Sequence, residues 1–181
     1  GKSYLLKLLI CNLLESGKTV ICLDPEQELA WLCGRLGGCY ADLMGGQFRI
    51  NFLEAKRWDI GDDRDEDPTV PNAFRQQSPL SQHISFLKDF FRAYKPFTHQ
   101  QVDTLELMLE RLYRKWGISD KADFSAMGPE DWPNAEDLYA VLEDAYEHYD
   151  QEDSPLYPRE LLRELLLGLH SMCRGAESVY F

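Results

Sequence analysis

The first 26 residues constrain the fold of this chain more than any other part. An apolar stretch, Tyr4–Leu14, leads to a turn in which Gly17 occupies the position of a helix-ending glycine, and then to the short apolar run Thr19–Leu23. A helix that is apolar on nearly every face is typical of a buried core. A continuous apolar run with β-branched residues is typical of a strand covered on both faces. Together they predict an α/β fold.

Three residues that precede the apolar helix point to nucleotide binding. Gly1, Lys2 and Ser3 match the last three positions of the P-loop pattern GxxxxGK[ST]. In a P-loop, backbone amides hold phosphates, the lysine neutralises the β- and γ-phosphates, and the hydroxyl binds Mg²⁺. The triplet is common by chance, but its place before a buried helix and strand is the one that a P-loop domain needs. We therefore expect Gly1, Lys2 and Ser3 to bind nucleotide phosphates, with Ser3 as a magnesium ligand.

A carboxylate follows the predicted strand at the place where α/β proteins bind ligands. Glu26 lies 24 residues after Lys2, just beyond the strand's carboxyl end. It could orient and deprotonate an attacking water. The alternative is structural, because an acidic residue in the first turn of a helix is favoured by the helix dipole alone. In that interpretation Asp24 is the N-cap of a helix that begins at Pro25, with Gln27 completing a capping box.

The rest of the chain divides into regions of different character. Residues 1–53 are expected to form an α/β core, with further short strands at Cys39–Asp42 and Phe48–Phe52. Residues 54–77 are predicted to be an acidic, flexible loop. Residues 78–175 are predicted to be an all-helical subdomain, and residues 176–181 the start of a strand that returns to the core.

Capping signals mark the helices of the predicted subdomain. The expected starts are Ser78-Pro79, Thr98 with Gln101 as a capping box, Asn134 and Pro158. Apolar residues recur at helical spacing after each start, and the connections are short. This pattern predicts an antiparallel bundle.

The composition excludes some functions. The net charge is -12 and the pI is about 4.7, so an acidic surface does not support direct binding of nucleic acid. The five cysteines form no CxxC pair, which argues against a structural zinc site. No stretch approaches the length and apolarity of a membrane span. The second acidic motif of a P-loop ATPase, an apolar strand that ends in Asp or Asp-Glu, is not found.

Two runs resemble a known family. GKSYLLKLLICNLLESGKTVICLDPEQEL, followed by ADLMGGQFRINFLE, is similar to the conjugative-transfer ATPases of type IV secretion systems, the VirB/TraC-like proteins. These are RecA-like P-loop motors of the HerA/FtsK superfamily, and they carry an all-helical insertion that Thr98–Gly117 and the later capped helices resemble. The final segment, Gly175–Phe181, resembles the return to the sheet. The resemblance thus spans nearly the whole chain.

This resemblance implies a function and a site. Lys2 would contact the β- and γ-phosphates of ATP, Ser3 would bind Mg²⁺, and Glu26 would activate the attacking water. The full protein would hydrolyse ATP to power DNA or protein transfer, or pilus assembly. It would act at the cytoplasmic, inner face of the cell membrane, as a homo-oligomer (a hexamer) together with other type IV secretion components.

The chain also departs from the family pattern, since it lacks the first half of the P-loop and the second acidic motif. We therefore expect an interior fragment that by itself hydrolyses ATP negligibly. Two other hypotheses stay open. The chain could be a non-catalytic helical protein-interaction module, or part of another P-loop enzyme, such as a nucleotide kinase with a helical lid.

Overall fold

The computed structural model describes residues 1–46, 48–55 and 78–181, and the described residues form two compact units. These are an N-terminal unit, Gly1–Phe48, and a helical unit, Arg49–Phe181. Within the described ranges there are six α-helices: α1 Lys2–Glu15, α2 Ala30–Arg35, α3 Pro79–Tyr94, α4 His99–Lys115, α5 Ala135–Glu147 and α6 Arg159–Cys173. Short 3₁₀ turns lie between and after the last helices, and no strand occurs in these ranges.

The predicted starts of the four bundle helices are confirmed. The hydroxyl of Ser78 accepts a hydrogen bond from the N–H of Ser81 at the start of α3. At the start of α4, Thr98 and Gln101 exchange the two bonds of a capping box, at 3.2 and 2.8 Å. Asn134 caps α5, and Pro158 immediately precedes α6. Each cap satisfies N–H groups that have no partner inside the helix.

One continuous apolar core holds the helical unit together. Each of α3 to α6 turns its apolar face inward, as the helical spacing predicted. The fully buried side chains include Leu87, Phe91, Leu109, Leu112, Tyr113, Leu138, Leu142, Ala145, Leu162, Leu165, Leu169 and Met172. Burial of this kind contributes roughly 1.5–3 kcal/mol for each large apolar side chain, and it is the main stabilising contribution in the unit.

The segment 49–55 belongs to this helical core. Phe52, Leu53 and Ala55 are buried in it, and Phe52 stacks on Phe90 with ring centroids 5.1 Å apart. The hydroxyl of Tyr113 donates a 2.8 Å hydrogen bond to the carbonyl oxygen of Leu53. The predicted strand Phe48–Phe52 is therefore wrong for this structure. The backbone of this segment forms no hydrogen-bonded strand ladder, and a bundle side chain, Tyr113, bonds to it instead.

The last residues lie beside the same segment. Ala176–Val179 is a 3₁₀ turn, so the expected start of a return strand at residues 176–181 is wrong in this structure. Two contacts connect the segments. The N–H of Ile50 donates a 2.8 Å hydrogen bond to the carbonyl oxygen of Tyr180, and the ring of Phe52 packs edge-on against Phe181. A single bond is not a ladder, which needs bonds repeated along both backbones. Residues 50–52 and 180–181 are thus adjacent in the helical unit.

The N-terminal unit is much less buried than its apolar sequence predicted. In α1 only Ile10 is buried, although the helix was expected to lie in a core. The run Thr19–Leu23 forms no strand, and Ile21 and Leu23 are 91% and 96% exposed. Cys39–Asp42 is not a strand either. An apolar pattern shows what a segment can bury, but burial and strand pairing need a partner surface. The described part of this unit contains no pairing strand, and Ile10 and Leu29 are its buried apolar residues.

The domain boundaries stay predictions. The expected acidic loop, residues 54–77, falls outside the described residues apart from Glu54 and Ala55. The α/β core expected for residues 1–53 is not present as a sheet among the residues that the structure describes.

The difference in burial predicts a difference in local stability. In the intact chain we expect amide protons in the middle of α4 to exchange with solvent at least about 10²-fold more slowly than those in α1. The reason is that α4 buries one face in the core, whereas a 14-residue helix with one buried side chain is marginal in water. Hydrogen-exchange mass spectrometry of one sample compares both helices internally. If the exchange rates of the two helices differ by less than tenfold, the difference in burial between α1 and α4 is contradicted.

Candidate functional site

The first turn of α1 presents the P-loop-like residues. Gly1 is the N-cap, and its carbonyl oxygen accepts hydrogen bonds from the N–H groups of Tyr4 and Leu5, at 3.2 and 3.3 Å. The N–H groups of Lys2 and Ser3 have no acceptor within the helix, since such an acceptor would lie four residues earlier. The helix has no side-chain cap and no acidic residue in its first turn. Its partial positive charge is therefore uncompensated by the helix itself, which favours an anion.

The side chains of this turn offer donors of the right kind for a magnesium–nucleotide. Lys2 and Ser3 are exposed, and no hydrogen bond or ion pair engages either side chain among residues 1–46, 48–55 and 78–181. An ammonium group, a hydroxyl and two N–H groups suit phosphate oxygens, and a hydroxyl oxygen suits Mg²⁺. The residues present thus fit part of a phosphate site.

Glu26 lies in a turn and not in a helix. The N–H of Gln27 donates to the carbonyl oxygen of Asp24 at 3.3 Å, which closes the turn around Glu26. Gln27 has a φ of 56°, in the left-handed region that a right-handed helix cannot include. The predicted helix start at Pro25 is therefore wrong, and α2 begins five residues later at Ala30.

Asp24 still caps backbone groups, as the sequence predicted, but it caps a turn. Its carboxylate accepts hydrogen bonds from the N–H groups of Glu28, at 3.1 Å, and Leu29, at 2.8 Å. Sequence reasoning missed a neighbour of this carboxylate, Tyr40. Burial, together with the negative charges of Asp24 and Asp42, raises the pKa of the Tyr40 phenol. No sequence signal links Tyr40 to Asp24, because only the path of the loop brings them together.

The structure does not join the two halves of the predicted site. Lys2 and Ser3 are neighbours on α1, whereas Glu26 is exposed in its own turn. No hydrogen bond or ion pair connects Glu26 to Lys2 or Ser3 in the part of the chain that is described. A shared active site therefore stays a prediction.

None of the described helices is long and apolar enough to cross a bilayer. Within the same residues, no group of three or more His, Cys, Asp or Glu side chains is placed to hold a metal ion.

Comparison with known proteins identifies the class of this chain. Residues 1–170 match the family of the central domain of the helicase HerA. The match covers most of the 181 residues, so the chain belongs to this family.

The chain is also similar to a solved structure. The fold is similar to VirB4 of Thermoanaerobacter pseudethanolicus, with a TM-score of 0.78 and 27% sequence identity. The similarity covers 100% of this chain and 42% of that chain. These two matches confirm the resemblance to the VirB/TraC-like ATPases and the HerA/FtsK superfamily that the sequence motifs indicated. No match was found among curated proteins.

The chain thus spans less than half of the VirB4 chain that it resembles. The likeness concerns the path of the chain, since the described residues contain no strand. The similarity to VirB4 is therefore established for the chain path, whereas a parallel sheet is not.

Proposed function

We propose that this chain is a nucleotide-binding segment of a type IV secretion ATPase. The observation that carries the proposal is the first turn of α1, where Gly1 is the N-cap and Lys2 and Ser3 bring together two N–H groups without an acceptor in the helix, an ammonium and a hydroxyl. The membership in the HerA family and the likeness to VirB4 over the whole chain support it.

The proposed division of labour follows from the side-chain chemistry. Lys2 binds the β- and γ-phosphates of ATP through its charge, and the amides of α1 add dipolar attraction. Ser3 offers its hydroxyl oxygen as a ligand to Mg²⁺, which when bound neutralises phosphate charge. Glu26 orients the attacking water and accepts its proton. Asp24 has no direct part in these steps.

The proposal includes an α/β core in the complete motor. Ile21 and Leu23 are almost fully exposed here, and a sheet with neighbouring strands is the environment that the run Thr19–Leu23 suits. We propose that this run pairs as a strand when those neighbours are present. The complete protein would then act as a hexamer at the cytoplasmic face of the inner membrane, with other secretion components as partners, in conjugal transfer.

Substitutions in the whole natural protein test this function. We expect Lys2→Ala to lower ATP hydrolysis about 10²-fold, because the phosphate charge loses its cationic partner. We expect Glu26→Gln to lower kcat by about 10²-fold and to leave nucleotide binding intact. A malachite-green phosphate assay measures turnover, and titration with a fluorescent ATP analogue measures binding.

Matched controls lie close by in the sequence. Lys18→Ala removes the same charge from an exposed lysine, and Glu28→Gln makes the same change two residues after Glu26. Both controls should keep wild-type turnover. Normal hydrolysis by the Lys2→Ala protein contradicts the proposed phosphate site. If Glu28→Gln is inactive while Glu26→Gln is active, the role proposed for Glu26 is wrong.

A second candidate is a non-catalytic interaction module. Almost all of the buried apolar side chains lie in the helical unit, so this unit has the core of a self-supporting domain. Calorimetry with Mg–ATP separates the two candidates. Binding that requires Lys2 supports the motor segment, and an absence of binding by the whole natural protein supports the module.

A further inference from the structure

One side chain, that of Asp24, holds the turn that carries Glu26. Its carboxylate accepts hydrogen bonds from the N–H groups of Glu28 and Leu29, at 3.1 and 2.8 Å. Its carbonyl oxygen accepts a third bond, from the N–H of Gln27 at 3.3 Å. All three bonds join Asp24 to residues that follow Glu26, so they close a turn that contains it. Glu26 itself makes no hydrogen bond or ion pair with any described residue. The position of the Glu26 backbone therefore depends on Asp24.

The backbone of this turn needs such support. Pro25 has a restricted φ, and Gln27 has a φ of 56°, which costs conformational free energy for a residue with a Cβ. Strained backbone persists only where the surrounding contacts over-determine it. Hydrogen bonds to a charged acceptor are stronger than neutral ones, so the carboxylate of Asp24 is suited to this task.

We propose that Asp24 is a positioning residue for ATP hydrolysis: its carboxylate holds residues 24–29 in the conformation that presents the Glu26 carboxylate to the attacking water. This inference rests on the proposed function of Glu26. Asp24 touches neither the nucleotide nor the water, since its carboxylate is engaged by backbone N–H groups. Its effect passes entirely through Glu26.

Kinetics of the whole natural protein test the inference. We expect Asp24→Ala to lower kcat about tenfold, because a displaced base loses near-attack geometry. The KM for ATP should change less than about twofold, since Lys2 and Ser3 lie on a different element. Asp24→Asn should restore most of the turnover, because its amide oxygen can still accept the two N–H groups.

A double-substitution cycle separates positioning from a general structural role. Residues that act through one another are not additive. Asp24→Ala added to Glu26→Gln should therefore cause no further loss of kcat. Either wild-type kcat in Asp24→Ala or a further tenfold loss in the double variant overturns the inference. If Glu26→Gln alone keeps wild-type kcat, the proposed function of Glu26 fails, which is a different outcome from these.

Hydrogen exchange checks the structural link directly. The amides of Glu28 and Leu29 should exchange faster in Asp24→Ala, while amides in α4 should be unchanged. Unchanged exchange at Glu28 and Leu29 contradicts the inference. If the Asp24→Ala protein does not fold, Asp24→Ser takes its place, since a hydroxyl can accept one of the two bonds. Faster exchange at Glu28 and Leu29 in that variant, together with a wild-type kcat, then overturns the inference.

Discussion

Replacement of Phe91 by alanine is expected to lower the free energy of unfolding of the helical unit by about 3–5 kcal/mol. Phe91 is fully buried in α3, where its ring packs edge-on against Phe52 and Phe90, with centroids 5.7 and 5.3 Å apart. Alanine would leave a cavity between the helix and the segment 49–55. Since domains are stable by only about 5–15 kcal/mol, this is a large part of the total.

Phe86 provides a matched control on the same helix. Its ring is 45% exposed and stacks loosely on Phe90, with centroids 6.5 Å apart. Phe86→Ala should therefore cost about 1 kcal/mol or less. Urea denaturation followed by circular dichroism measures both variants. Equal losses at the two positions would show that Phe91 does not lie in the core.

Acidification is expected to destabilise the helical unit through His83. Burial lowers the pKa of His83 to about 4. A hydrogen bond with the backbone of Phe52 acts in the opposite direction and only partly offsets this effect. The ring is almost fully buried beside Phe86 and Tyr113, and its Nε2 has no hydrogen-bond partner in the described ranges. A proton added at Nε2 would have no acceptor and would place a charge in the core, which is costly.

The direction of the effect follows from the two pKa values. In the unfolded chain His83 takes up a proton near pH 6.5, whereas the folded chain resists protonation until about pH 4. The unfolded state therefore binds more protons between these values, so stability falls as the pH falls. Between pH 7 and 4.5 the loss from His83 is expected to be about 2–3 kcal/mol.

A variant that cannot titrate isolates this contribution from the carboxylates. His83→Gln removes the titrating group, so its free energy of unfolding should fall less between pH 7 and 4.5 than that of the wild type, by the same 2–3 kcal/mol. Denaturation curves at several pH values measure the difference. Parallel curves for the two proteins would mean that His83 is not buried in its neutral form.

The two units raise different questions about function. The helical unit has its own core, so substitutions at its buried positions change its free energy of unfolding. The N-terminal unit carries the candidate phosphate-binding turn and the Glu26 turn, yet its apolar residues are largely exposed. Local electrostatics alone can favour phosphate binding at α1. The relation of Glu26 to that phosphate depends on a sheet that the described residues do not form.

Sequence reasoning succeeded where the structure depends on a few neighbouring residues. The starts of the bundle helices at Ser78, Thr98 and Asn134 followed from capping side chains, because a cap bonds to N–H groups only two or three residues away. Gly17 was expected to end α1, and its φ of 74° confirms a conformation that glycine adopts without strain. Family membership followed in the same way, from short runs of residues.

The sequence by itself determined where the bundle helices begin, which faces of them are apolar, and that Lys2 and Ser3 open a helix. Only the tertiary structure decided that Leu53 joins the helical core, that His83 is buried, and that Thr19–Leu23 stays unpaired. The physical reason is that caps and helical hydrogen bonds are local. Burial and strand pairing require surfaces from distant parts of a chain, and an apolar pattern does not specify which surface it will meet.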